Sequence, residues 1–275
     1  MKGLHRLKEA WNKVVFCYTV TKGFPSFLSL IWFTKLYRLR KKSTIDKSYR
    51  ENYFSISLVA FPGKKIFLRT YAGDIDIFYE IFFTEIYKLD EISDDVVVID
   101  AGANVGFAAL YFLNKMSNAT VYCIEPDPDN FIFLQKNLKA ELESGQIKTV
   151  LAGLSDKDGF MNLQTNGLKY NASLVKTPSK NSIEVNTYTV ETFLKKYVPG
   201  RVNIFKIDIE GAEESIFASD ISWLKKVDAM LIEFHSEKIK EMCFEKLLLQ
   251  NFYFEPQIER ANTDVFMFRK KQERT

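Results

Sequence analysis

Histidine and cysteine are scarce in this chain, with two and three residues respectively among 275. Cys17, Cys123 and Cys243 are odd in number and widely separated, which argues against a disulfide framework and for a reducing, cytoplasmic setting. No Cys/His spacing resembles a zinc site. Long apolar runs are also missing. The stretch 24–33 is about half of the ~20 residues a membrane-spanning helix needs. It follows more than twenty residues of mixed polarity, the wrong context for a signal peptide. No self-similar period or low-complexity tract appears, which argues against a repeat protein.

Apolar residues, by contrast, make up 47% of the chain, enough for one sizeable core at this length. Phe131 and Phe133 flank Ile132 on what reads as a core helix, so many of the 24 phenylalanines are expected to be structural filling. Charge is distributed unevenly. Residues 1–42 hold ten Lys/Arg and one acid, Glu9, a net of +9; the remainder therefore sums to −6 against the total of +3. This basic, aromatic arm fits two descriptions. It could contact an anionic membrane surface, at the inner face, or an acidic partner. It could equally be a helical extension packed on the domain with its cations solvated. Nucleic-acid binding is disfavoured, because the core is net acidic.

Residues 1–50 read as the arm, helical in pieces and broken near Gly23 and Pro25, and 51–275 as the main domain. Residues 53–59 and 64–70 predict a hairpin around Phe61-Pro62-Gly63. Ile77, Phe78, Ile81, Phe82, Ile86 and Leu89 recur at helical spacing, predicting a helix that begins at Asp74 as N-cap. From about residue 95 short apolar strands alternate with helices. Strands are expected over 96–99, 120–124, 147–154, 202–207 and 229–234, and helices over 106–115, 128–143, from 212, and up to 250. Turn-forming residues over 155–190 predict a hairpin excursion, and 252–254 with 265–268 a terminal strand pair. This alternation specifies an α/β fold, a mainly parallel sheet with helices on both faces. Such sheets bind ligands at the carboxyl ends of their strands.

The first of these strands runs into Asp100-Ala101-Gly102-Ala103-Asn104-Val105-Gly106. Small residues there let the backbone approach a ligand, and the helix that follows offers free N–H groups. Glu125, 23 residues after Gly102, ends the second strand, where an acid can accept both hydroxyls of a ribose. Ser155 and Asp156 follow the third strand, placed to flank an adenine. A dinucleotide fingerprint needs three glycines, yet the first position is Asp100 and the third Val105. A carboxylate pointing into the turn would repel a pyrophosphate and suit a cation, and S-adenosylmethionine carries an ammonium and a sulfonium. A nicotinamide-dependent oxidoreductase is the reading this disfavours.

Three segments together resemble the signature of FkbM-type methyltransferases: residues 98–106, Ile124-Glu125-Pro126-Asp127, and Lys206-Ile207-Asp208-Ile209-Glu210-Gly211-Ala212-Glu213. Phe67-Leu68-Arg69 with Asp74-Ile75, and Ile232-Glu233-Phe234-His235, resemble that family's weaker flanking segments. The likeness spans roughly residues 65–270, and its third segment is the most specific. It implies a Rossmann-like methyltransferase fold with a seven-stranded sheet and methyl transfer usually to a hydroxyl oxygen. Family acceptors include natural products and the sugars of glycans.

In the fourth strand, alternation puts Lys206 and Asp208 on one face, with Asp208 at the carboxyl end. Asp208 and Glu210 are expected beside the sulfonium, whereas Glu213 reads as a first-turn acid complementing a helix dipole. Glu233 and His235 share a face of the fifth strand. A neutral His235 imidazole, with a reference pKa of about 6.5, would take the acceptor's hydroxyl proton, Asp208 orienting it or acting as base itself. The catalytic candidates are thus Lys206, Asp208, Glu210 and His235. Asp208, Glu210, Glu233 and His235 could instead hold a divalent metal. A silent nucleoside- or glycan-binding module is the remaining alternative. In the excursion, Tyr170 could stack on a sugar face.

Overall fold

The computed structural model describes residues 2–40, 52–89, 93, 95–165, 172–175, 182–256 and 265–271. The chain forms two compact units, Met1–Glu85 and Ile86–Thr275. In the first, α1 (Lys2–Val20) and α2 (Phe24–Arg40) are separated at Gly23, whose φ of 84° reverses the chain. β1 (Tyr53–Ser57) and β2 (Lys65–Arg69) form the expected antiparallel hairpin, followed by α3 (Asp74–Phe82). Two predicted features of α3 are corrected. Its N-cap is Gly73, and the Asp74 carboxylate is buried, accepting from the Arg69 backbone N–H (2.7 Å) and from Arg69 Nη2 (2.8 Å). It also stops at Phe82 rather than near Leu89, just before Glu85 takes a left-handed φ of 50° that helical backbone does not tolerate.

In the second unit the elements in chain order are β3 (Val97–Ala101), α4 (Phe107–Lys115), β4 (Thr120–Glu125), α5 (Pro128–Asn137), α6 (Lys139–Ser144) and β5 (Ile147–Leu151). Next come β6 (Gly153–Leu154), β7 (Gly159–Thr165), β8 (Ala172–Val175), β9 (Ser182–Tyr188) and α7 (Val190–Tyr197). The last are β10 (Val202–Ile207), α8 (Glu213–Ala218), β11 (Val227–Glu233), α9 (Glu237–Leu249), β12 (Phe252–Glu255) and β13 (Val265–Lys270). Seven strands make one sheet in the order β12-β13-β11-β10-β3-β4-β5. The pairs β3–β4, β4–β5, β3–β10 and β10–β11 are parallel, and β13 is antiparallel to both its neighbours. This is the Rossmann-like α/β sheet. The chain moves outward from β3 to β5 and returns to β10 on the other side of β3. That reversal makes the carboxyl ends of β3 and β10 the switch point of the sheet, where such folds bind their ligands.

The central strands read as continuous apolar runs because helices and sheet bury them. Ile99, Phe205, Ile207 and Met230 share one core with Phe193 of α7, Phe217 of α8, and Cys243 and Leu247 of α9. Cys123 is buried in β4, as its apolar surroundings predicted. Elsewhere the tertiary context overrides the pattern. The predicted helix over 128–143 breaks at Leu138, and Ile132 is 60% exposed; the buried face of α5 is Asn130, Leu134 and Asn137. The third strand ends at Leu151, and β6 leaves the main sheet to pair in parallel with β9. The excursion is therefore a four-stranded sheet, order β6-β9-β7-β8, rather than a lone hairpin. Tyr170 lies outside the described residues.

Candidate active site

Left-handed backbone at Gly102 (φ 77°), Asn104 (φ 49°) and Gly106 (φ 88°) folds the turn after β3. The Gly102 and Ala103 N–H groups both donate to Ile124 O at 3.0 Å, seating the turn at the end of β4. A Cβ on Gly102 would lie 1.7 Å from the carbonyl oxygen of Asp208. The close approach served by this glycine is thus first between two strand ends.

Strand register sets Lys206 beside Asp100. Lys206 Nζ is 3.0 Å from the Asp100 carboxylate and 3.4 Å from that of Asp208, and it donates to Gly102 O (2.8 Å) and Ala101 O (3.3 Å). Burial opposes the ammonium charge, but Asp100 and Asp208 outweigh it and raise the Lys206 pKa. Burial likewise raises the Asp100 pKa, against the pull of Lys206. Asp100 is fully buried, so the idea that its free carboxylate faces a cationic ligand is corrected: an internal cation already pairs with it. Tyr87, which no motif singled out, is buried here too. Its hydroxyl donates to Asp208 Oδ2 at 3.2 Å, and its ring lies 5.4 Å from Lys206 Nζ.

Glu125, at the end of β4, is buried and accepts from Asn104 N (2.8 Å), Asp127 N (2.9 Å) and Asn130 Nδ2 (3.2 Å). Burial pushes its pKa to about 7 despite these donors. Asn130 was missed from sequence, although it sits in the first turn of α5 that Asp127 caps. Asn104 Oδ1 is a buried acceptor without a hydrogen-bond partner. Ser155 is buried and donates to Asp156 Oδ1 (2.9 Å), while Asp156 is exposed.

The ends of β10 and β11 bring Asp208, Glu233 and His235 within 4.8 Å of one another. His235 Nδ1 lies 2.9 Å from Glu213 Oε1, and Nε2 3.4 Å from Glu210 Oε2. The Glu213 carboxylate, opposed by burial and aided by Glu210, raises the His235 pKa to about 9. Glu213 thus favours the imidazolium over the neutral base expected from the reference pKa. Glu213 does open α8, but it is fully buried and its partner is this ring, not the helix dipole alone. Glu210, on a left-handed φ of 49°, has its pKa raised by burial to about 7. A divalent ion at these donors would have to compete with the Lys206 ammonium, 3.4 Å from Asp208, and with the Glu213 carboxylate, 2.9 Å from His235 Nδ1.

The chain is 28% identical over 206 residues to Methyltransferase 1 of Beauveria bassiana, covering 66% of this chain and 82% of the relative. It is 26% identical over 148 residues to the hexuronic acid methyltransferase AglP of Haloferax volcanii, covering 54% of this chain and 59% of AglP. The crystal structure of methyltransferase FkbM from Methylobacillus flagellatus superposes with a TM-score of 0.47 at 16% identity, over 66% of this chain and 45% of that one. Residues 100–262, more than half of the chain, match the family model described as the methyltransferase FkbM domain, and the chain belongs to that family of methyltransferases.

Proposed function

We propose that this methyltransferase uses S-adenosylmethionine to methylate a hydroxyl oxygen of a sugar or other small-molecule acceptor. The observation that carries this is the meeting, at the switch point of the sheet, of the glycine turn with Glu125 and the Asp208–Glu210–His235 cluster. Bound there, the cofactor supplies a methyl group on a sulfonium. Glu125 has donors on three of about four carboxylate lone-pair positions, which leaves one for a ribose hydroxyl. Asn104 Oδ1 is an unmatched buried acceptor, the kind of atom that a ligand N–H or O–H relieves. Gly102 and Gly106 add no side chain to the turn, and Ser155 and Asp156, which follow β6, are our candidates to flank the adenine. Lys206 pairs with both Asp100 and Asp208, so attraction for a cation rests on the surplus of carboxylates there, Asp100, Asp208 and Glu233 against one ammonium.

Methyl transfer is an in-line displacement, so holding the acceptor oxygen in line contributes much of the acceleration. Glu210 is our candidate base, because a pKa of about 7 matches proton acceptance at neutral pH. His235, protonated up to about pH 9, positions Glu210 and lends its charge to the ionised form. Lys206 holds the turn and Asp208 in register. The sugar class is supported by the Haloferax volcanii relative, which is named for hexuronic acid.

Formation of S-adenosylhomocysteine with a panel of sugars and uronic acids tests the reading. Glu210→Gln should lower kcat by about 10²–10⁴-fold. The wild-type rate should fall as pH drops through about 7, where Glu210 gains a proton. A limb near 9 instead would assign the base to His235. No turnover with any sugar, alongside turnover with another hydroxyl compound, would reject the sugar class.

A further inference from the structure

Both N-terminal helices show apolar side chains to solvent on faces their packing does not use. On α1, Lys8, Trp11, Val15 and Tyr18 recur at steps of three and four, with Trp11 66% and Tyr18 69% exposed. On α2, Phe24, Leu28, Trp32, Lys35 and Leu39 form a second stripe, with Phe24 64% and Trp32 58% exposed. The stripes meet where the helices do: Phe27 lies 6.0 Å from Phe24 and edge-on to Tyr18 at 5.8 Å. The opposite faces are already occupied. Cys17 Sγ and Thr34 Oγ1 each lie 3.1 Å from the Tyr79 hydroxyl, and Phe33 stacks on Phe54 at 4.3 Å. Apolar side chains all round a helix call for a second apolar or interfacial surface.

Charge identifies that surface. Ten Lys/Arg within residues 1–42 face one acid, Glu9, which Lys13 already pairs at 2.8 Å. Lys8, Lys22, Lys35 and Arg38 are exposed within or beside the stripes. Trp and Tyr partition to the headgroup level of a bilayer, and nearby cations favour anionic lipid. Among the described residues no helix is long and apolar enough to cross a membrane, so the geometry is that of helices lying on one. We infer that the unit Met1–Glu85 docks on an anionic phospholipid surface through the stripe of Trp11, Tyr18, Phe24, Leu28 and Trp32.

The test is co-sedimentation of the full chain with phosphatidylcholine vesicles made with and without phosphatidylglycerol, over a range of salt. Binding should require phosphatidylglycerol, weaken with salt, and shift tryptophan emission to the blue. Two of the three tryptophans lie on the stripe, and the third, Trp223, is buried. Trp11→Ala combined with Trp32→Ala should weaken vesicle binding at least about tenfold. Both sites are exposed, so circular dichroism and cofactor binding should be unchanged. No binding at low salt, or equal binding by the double variant, would overturn the inference. So would a dimer seen by light scattering and abolished by the double variant, which would give the stripe to a second copy. Binding to an acidic protein but to no vesicle would overturn it as well.

Discussion

Lys206 sits at the junction of four groups: the Asp100 and Asp208 carboxylates and the carbonyls of Ala101 and Gly102. A buried ion pair adds little net stability over an apolar pair, but removing one partner strands the other charge. Lys206→Met should therefore cost about 3–5 kcal/mol in urea unfolding, and adding Asp100→Asn should recover part of it. A single variant as stable as the wild type would contradict this role. The motif made Lys206 visible, and alternation put it on the face of Asp208. Its pairing with Asp100 was not legible, because register between strands far apart in sequence depends on the assembled sheet. Tyr87 was hidden for the same reason, lying 121 residues from the Asp208 it touches. His235 could be named from sequence, but not its charge, since the Glu213 that sets it arrives from another element.

At the scale of elements, α5 orients the second strand's acid. Asp127 caps it, accepting from Asp129 N (2.7 Å) and Asn130 N (3.3 Å), and the ordered first turn then aims Asn130 at Glu125. Asp127→Ala should cost about 1–2 kcal/mol of stability. It should also weaken cofactor binding in calorimetry, although Asp127 has no assigned ligand contact. Unchanged affinity would detach α5 from the site. Asp127-Pro128 announced this helix, and buried apolar runs announced β3, β4, β10 and β11. Where the sequence misled, packing had overridden local preference. Asp74 left its cap position for Arg69, α5 ended at Leu138, and β6 departed from the main sheet to join β9.

At the scale of the whole molecule, the order β12-β13-β11-β10-β3-β4-β5 gathers residues from four strand ends at one switch point. Alternation of strands and helices was enough to foresee that convergence, although the four-stranded excursion was not. A sulfonium ligand would be drawn by the surplus of carboxylates, Asp100, Asp208 and Glu233 against the one Lys206 ammonium, rather than by Asp100 alone. The central claim is that the Asp100–Gly106 turn and Glu125 form a site for S-adenosylmethionine. Titration calorimetry of the intact protein tests it most directly. The account predicts a dissociation constant on the order of micromolar for S-adenosylmethionine. It also predicts no heat with a nicotinamide dinucleotide, and loss of the S-adenosylmethionine signal in a folded Glu125→Ala variant. No binding of S-adenosylmethionine by the folded wild type, or undiminished binding by Glu125→Ala, would contradict it.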